Sequence, residues 1–157
     1  MNRQELLDKI APCSLMCYTC SAFERGIICG LSKELLNYTE GMHEFFEKHQ
    51  APNLEQFKAF NNELKNYSAG LCSGCRNREH HGCSIQGCFI LECTKSQNVD
   101  YCGECKAFPC DKVKKLFEQE VYNLWLLGNQ EIKEKGIECF WEENKCKSHY
   151  KQYKNCK

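Results

Sequence analysis

The chain has 157 residues, 15 of them cysteine, and its 21 basic and 21 acidic side chains cancel. That length suits one domain with room for a real core, and nine phenylalanines and seven tyrosines are too many aromatics for a disordered chain. No apolar run approaches the length of a membrane span, and zero net charge gives no global pull toward nucleic acid or a membrane surface.

Residues 3–10 suit a short helix that ends before Pro12. From Ser32 onward, Leu35, Tyr38, Met42, Phe45, Phe46 and His49 recur at helical spacing, with Ser32 as the natural N-cap. Pro52 breaks this helix. Asn53 and Gln56 offer a capping box for the next one, whose apolar stripe is Phe57, Phe60, Leu64 and Tyr67 and whose stop is Gly70. The pair predicts an antiparallel helical hairpin over about residues 32–68.

Residues 71–110 hold eight cysteines, four glycines and no long periodic run. A loop-rich stretch of this kind usually needs a metal to fix it. Its one helical signal is a turn or two from Cys88 to Ser96. Beyond Cys110 the pattern is helical again, through Val113, Leu116, Phe117, Val121, Leu124 and Trp125. Gly128 reads as the stop and Asn129 as the cap of a shorter helix to Lys135. Gly136 interrupts, and a last helix is predicted from Ile137 to about Lys151. The apolar stripes read as core. The expected fold is mainly α, one domain over residues 1–157: helices around a metal-stabilised cysteine region at about 71–110, with C-terminal helices at about 111–152.

The N-terminus lacks the apolar core of a signal peptide, so the expected compartment is the cytoplasm, where thiols stay reduced and a disulfide framework is not expected. Three Cys-x-x-Cys pairs, Cys17/Cys20, Cys72/Cys75 and Cys102/Cys105, have the spacing at which two sulfurs converge on one ion.

The cysteines fall into three sequence groups. Cys13, Cys17 and Cys20 come first, with Cys29 beyond. Their Cys-x3-Cys-x2-Cys spacing is that of radical enzymes with a four-iron cluster, but the chain is too short for the barrel those enzymes need. The second group is Cys72, Cys75, Cys83 and Cys88, with His80 and His81 between as further candidate ligands or exposed loop residues. The third is Cys93, Cys102, Cys105 and Cys110. Closed four-cysteine zinc sites are structural, and the signatures of zinc proteases, serine hydrolases, phosphate-binding loops and zinc deaminases are absent. The chain therefore reads as a binding protein rather than an enzyme. An iron–sulfur cluster remains the alternative cofactor, although the ferredoxin spacing is missing. Five lysines interleave with aromatics in residues 144–157. They read as a solvated helix end rather than a nucleic-acid surface.

Three segments in order carry a resemblance: Ala-Pro-Cys-Ser-Leu-Met-Cys-Tyr-Thr-Cys (11–20), Cys-Ser-Gly-Cys-Arg (72–76) and Cys-Gly-Glu-Cys-Lys-Ala-Phe-Pro-Cys (102–110). With Cys88-Phe-Ile-Leu-Glu-Cys93 and Gly136-Ile137-Glu138, they resemble the prokaryotic family described as domain of unknown function 3795. The resemblance implies zinc binding and an unassigned biochemical role. It singles out Cys13, Cys17, Cys20, Cys72, Cys75, Cys88, Cys93, Cys102, Cys105 and Cys110 as ligands, with Cys29, Cys83, Cys139 and Cys146 less typical. Two departures stand out. Ser14 follows Cys13 where the family usually has glycine, and the tail holds only Cys156 where many relatives carry a terminal pair.

Ten such cysteines point to two, at most three, zinc ions with spare thiols. The function expected is that of a small cytoplasmic interaction or regulatory module with an unidentified protein partner, and with neither nucleic acid nor membrane. The alternative is an iron–sulfur or thiol-redox protein in electron transfer or redox sensing, using a spare thiol such as Cys17 or Cys110.

Overall fold

The computed structural model describes residues 2–77, 85 and 87–151. Among them are eight α-helices and no strand, so the fold is mainly α. Helix α1 (Arg3–Lys9) opens with a capping box: the Asn2 side chain accepts from the Glu5 amide at 2.9 Å, and the Glu5 carboxylate accepts from the Asn2 amide at 3.0 Å. The chain then folds back on itself. Ile10 pairs with Met16 in an isolated antiparallel bridge, and the loop between them carries Cys13.

Helix α2 (Ile27–Tyr38) begins earlier than its periodicity predicts. Gly26 precedes it, and Ser32 is a buried mid-helix residue rather than its cap. The predicted continuous helix to His49 is broken. Thr39 Oγ1 donates back to the Leu35 carbonyl at 2.8 Å, Gly41 turns the chain, and α3 (Met42–Lys48) follows. Helix α4 (Leu54–Ala69) stops at Gly70 as expected, although the Asn53 side chain makes no cap. Helices α2 and α3 both pack on α4, so three helices stand where the sequence predicts a two-helix hairpin. Its core face is narrower than the stripes suggest: Cys29, Ser32, Phe57 and Leu64 are buried, whereas Tyr38 is 81% and Phe45 57% exposed.

Helix α5 (Ile90–Ser96) forms where the short helical signal lies. The short α6 (Asp111–Lys114) is followed by α7 (Gln119–Lys135) and α8 (Ile137–Asn144). Neither Gly128 nor Asn129 ends α7, contrary to the sequence expectation. Asn129 is wholly buried inside that helix, and a side chain at Gly128 would strike Ser14 Oγ at 2.5 Å. Tertiary contact overrides both local signals. Gly136 does interrupt, and α8 ends at Asn144 rather than near Lys151.

Among the described residues, two apolar clusters hold α1 and α5 to α8. One joins Leu6, Ile10 and Met16 to Tyr101, Ile132, Ile137, Phe140 and Trp141. The other gathers Ile90, Phe108, Val113, Tyr122 and Trp125, and Cys13, Cys88, Cys102, Cys105 and Cys110 pack against it. The cysteine region is thus built onto the second core. Among the described residues, no helix is long and apolar enough to cross a membrane.

Candidate metal centre

Two of the three Cys-x-x-Cys pairs have the same backbone form. The Cys20 amide donates to the Cys17 carbonyl at 2.9 Å, and the Cys105 amide donates to the Cys102 carbonyl at 3.0 Å. Each closes one 3₁₀ turn, which brings the two cysteines close along the chain. The third pair turns differently. Gly74 has φ +94, and its amide donates to Cys72 Sγ at 3.4 Å.

Backbone pairing draws these segments together. Cys72 donates its amide to the Ala22 carbonyl at 2.9 Å, and its carbonyl accepts from the Glu24 amide at 3.0 Å. That sets the Cys72–Cys75 segment beside the chain that follows Cys20. Likewise the Cys102 amide donates to the Pro12 carbonyl at 2.9 Å, so the third group docks on the first loop.

Two polar side chains lock this arrangement. Arg76 donates to the Leu7 and Ile10 carbonyls, both at 2.7 Å, and to the Asp100 carbonyl at 2.6 Å. Its guanidinium also lies 5.0 Å from the Tyr101 ring centre. It therefore ties the residue after Cys75 to the end of α1 and to the residues just before Cys102. Asn129 does the same from α7. Its Oδ1 accepts from the Gly103 amide at 2.8 Å. Its Nδ2 donates to the Cys13 carbonyl at 3.1 Å, Ser14 Oγ at 3.1 Å and the Trp125 carbonyl at 2.8 Å. Gly103 is required here, because a Cβ would stand 2.3 Å from the Asn129 carbonyl oxygen.

The thiols feel one another's charge across the three sequence groups. The Cys17 thiol is pushed well up by its hydrogen bond with Cys75, then by burial, and then by the nearby thiols of Cys75, Cys13 and Cys20. The Cys102 thiol is pushed up to about 12, first by burial and then by Cys110, Cys93 and Cys105. Around Cys17 thus lie Cys13, Cys20 and Cys75, and around Cys102 lie Cys93, Cys105 and Cys110. The groups adjoin. Burial raises Cys13 most, and Cys75, Cys102 and Cys88 add to it.

This donor set suits a thiophilic cation. Four sulfurs that oppose one another's ionisation can all be thiolates only with a positive charge among them. The Trp125 indole N–H supports the same reading. It is buried and makes no fully formed hydrogen bond, yet it lies close enough to Cys102 to favour the thiolate form. As placed, no three histidine, cysteine or carboxylate side chains among the described residues make a formed metal-binding group.

The remaining expected ligands are placed as follows. Cys72 starts the segment that ends in Cys75, and Cys88 lies near Cys13. Cys29 belongs elsewhere, since it is buried on α2 and its thiol donates to the Ser68 carbonyl of α4 at 3.4 Å. Cys83 and His80 lie outside the described residues. Cys139 donates to Glu143 on its own helix at 3.5 Å, and Cys146 is exposed. The departure at Ser14 now has a geometric meaning. Its φ is +69, a left-handed conformation that glycine adopts without cost, and its hydroxyl accepts from Asn129. Sequence reasoning assigned no site role to Arg76, Trp125 or Asn129. Asn129 carries a signal, a polar residue in an apolar helical pattern, but beside Gly128 it reads locally as a cap.

No curated protein and no solved structure matches the chain. A family model does match, over residues 9–115. That segment contains both thiol groups and stops before α7, which supplies Asn129 and Trp125. On that match, the chain belongs to the family described as protein of unknown function DUF3795.

Proposed function

We infer that this chain is a small metal-binding protein that holds two zinc ions in structural four-cysteine sites and serves as an interaction or regulatory module. Cys13, Cys17, Cys20 and Cys75 would hold one ion, and Cys93, Cys102, Cys105 and Cys110 the other. One observation carries this reading: the Cys17 thiol hydrogen-bonds with Cys75 and feels Cys13 and Cys20, and the Cys102 thiol feels Cys93, Cys105 and Cys110, so thiols distant in sequence act on one another. Bound zinc would supply positive charge and tetrahedral geometry, and four protein ligands would leave no position for water or substrate. The role is then architectural, with a protein as the partner class and the cytoplasm as the compartment.

A second reading, an iron–sulfur protein in electron transfer or redox sensing, draws on the Gly74 amide that donates to Cys72 Sγ and on the buried Trp125 N–H near Cys102, a donor with no formed hydrogen bond. Hydrogen bonds to sulfur tune cluster potentials. Anaerobic purification with elemental analysis and a visible spectrum separates the two. A colourless protein with about two zinc ions per chain supports the zinc reading. Stoichiometric iron with broad visible absorbance overturns it in favour of the cluster.

A further inference from the structure

Helix α7 has two apolar faces, and only one of them is used by the core. Tyr122, Trp125, Asn129 and Ile132 point inward and are buried. The neighbouring row, Val121, Leu124, Gly128 and Glu131, lines a cavity of about 380 Å³ instead. The opposite wall is the first cysteine loop, from Cys13 to Met16. Phe140 and Asn144 of α8 close one side, and the segment from Lys147 to Lys151 closes another. Gly128 keeps α7 close to this loop without filling the space between them.

The volume lies within the range of small-molecule sites. Its lining is mostly apolar, with a polar wall at the C-terminal segment. That wall carries Lys147, His149 and Lys151, and Glu131 is the one carboxylate among its described lining residues. Glu131 is already engaged, accepting from Asn144 Nδ2 at 3.3 Å, and Asn144 Oδ1 in turn accepts from Lys147 at 3.1 Å. Among the described lining residues the surplus charge is therefore positive.

We propose that this cavity is a binding site for a small amphiphile with an apolar body and one acidic head. The body lies along Val121, Leu124 and Phe140, and the head meets Lys151 and Lys147. The site is independent of which metal the thiols hold, although Cys13 forms part of its wall.

The test is calorimetric titration of the protein, as purified with its metal, with decanoate, decanol and decyltrimethylammonium. Decanoate is expected to bind saturably at one site per chain, decanol about threefold more weakly and the cation about tenfold more weakly. Leu124→Trp fills the cavity and is expected to abolish decanoate binding with the circular dichroism spectrum unchanged. Lys151→Glu sits at the surface and is expected to erase the preference for the anion. Absence of saturable decanoate binding overturns the proposal, as does a cation that binds as well as decanoate. A folded Leu124→Trp protein that binds normally overturns it too. Should that variant not fold, unaltered discrimination in Lys151→Glu overturns the assignment.

Discussion

Asn129→Ala tests how the two thiol groups are held in register. The substitution removes the acceptor of the buried Gly103 amide and the donor to the Cys13 carbonyl and Ser14 hydroxyl. An orphaned buried amide costs about 1–3 kcal/mol, and the lost bonds at Cys13 and Ser14 about 1 kcal/mol each. The better helix propensity of alanine returns about 0.5 kcal/mol. The net loss is about 3 kcal/mol. For a chain of this size that lowers Tm by roughly 10 °C. Differential scanning calorimetry of the metal-loaded protein reads this loss, and hydrogen exchange reads the Gly103 amide directly. The amide is expected to lose protection in the variant. A loss below about 1 kcal/mol, or a Gly103 amide that stays protected, would refute the reasoning.

Other substitutions probe the same framework. Arg76→Lys keeps the charge but cannot reach three carbonyls with a planar fork, so it is expected to cost about 2 kcal/mol in thermal unfolding. A cost near zero would show that the charge alone suffices. Ser14→Gly relieves a left-handed serine worth roughly 1 kcal/mol and loses a hydrogen bond of similar size, so stability is expected to change by less than about 1 kcal/mol. Ser14→Val has no such compensation and is expected to cost more than about 2 kcal/mol; equal stability of the two variants would contradict the assigned backbone. Gly103→Ala forces the knuckle away from α7 and is expected to cost about 3 kcal/mol, read by the same calorimetry. Removal of the metal is expected to speed amide exchange at residues 12–20 and 101–110 well before that of α4. Uniform exchange across the chain would argue against a locally metal-fixed region.

The sequence announced the parts of this molecule better than their assembly. Helix α4 and its stop at Gly70 were legible because periodicity and a left-handed glycine agree. The 3₁₀ turns at Cys17 and Cys102 do not follow from spacing alone, because Cys72 and Cys75 share that spacing and turn differently at Gly74. Helix α7 was misread at Gly128 and Asn129 because local signals for a stop and a cap were outweighed by contacts from Ser14, Cys13 and Gly103, which are more than 20 residues away. The hairpin stripes read as core, yet Tyr38 and Phe45 remain open, while Cys29 and Ser32 of α2 are buried, Cys29 with its thiol on the Ser68 carbonyl of α4. Sequence proximity also grouped Cys75 with Cys72, Cys83 and Cys88. Its electrostatic neighbours are Cys17 and Cys13, because the Cys72 backbone pairs with Ala22 and Glu24. Such partnerships depend on long-range pairing, which spacing does not encode.

The central claim is that eight thiols form two four-sulfur sites for zinc. X-ray absorption on the protein as purified tests it most directly, since the edge names the metal and the fine structure gives its ligands. The account predicts a zinc edge with four sulfurs at about 2.3 Å and no nitrogen or oxygen ligand. An iron edge, or zinc held by fewer than four sulfurs, would contradict it.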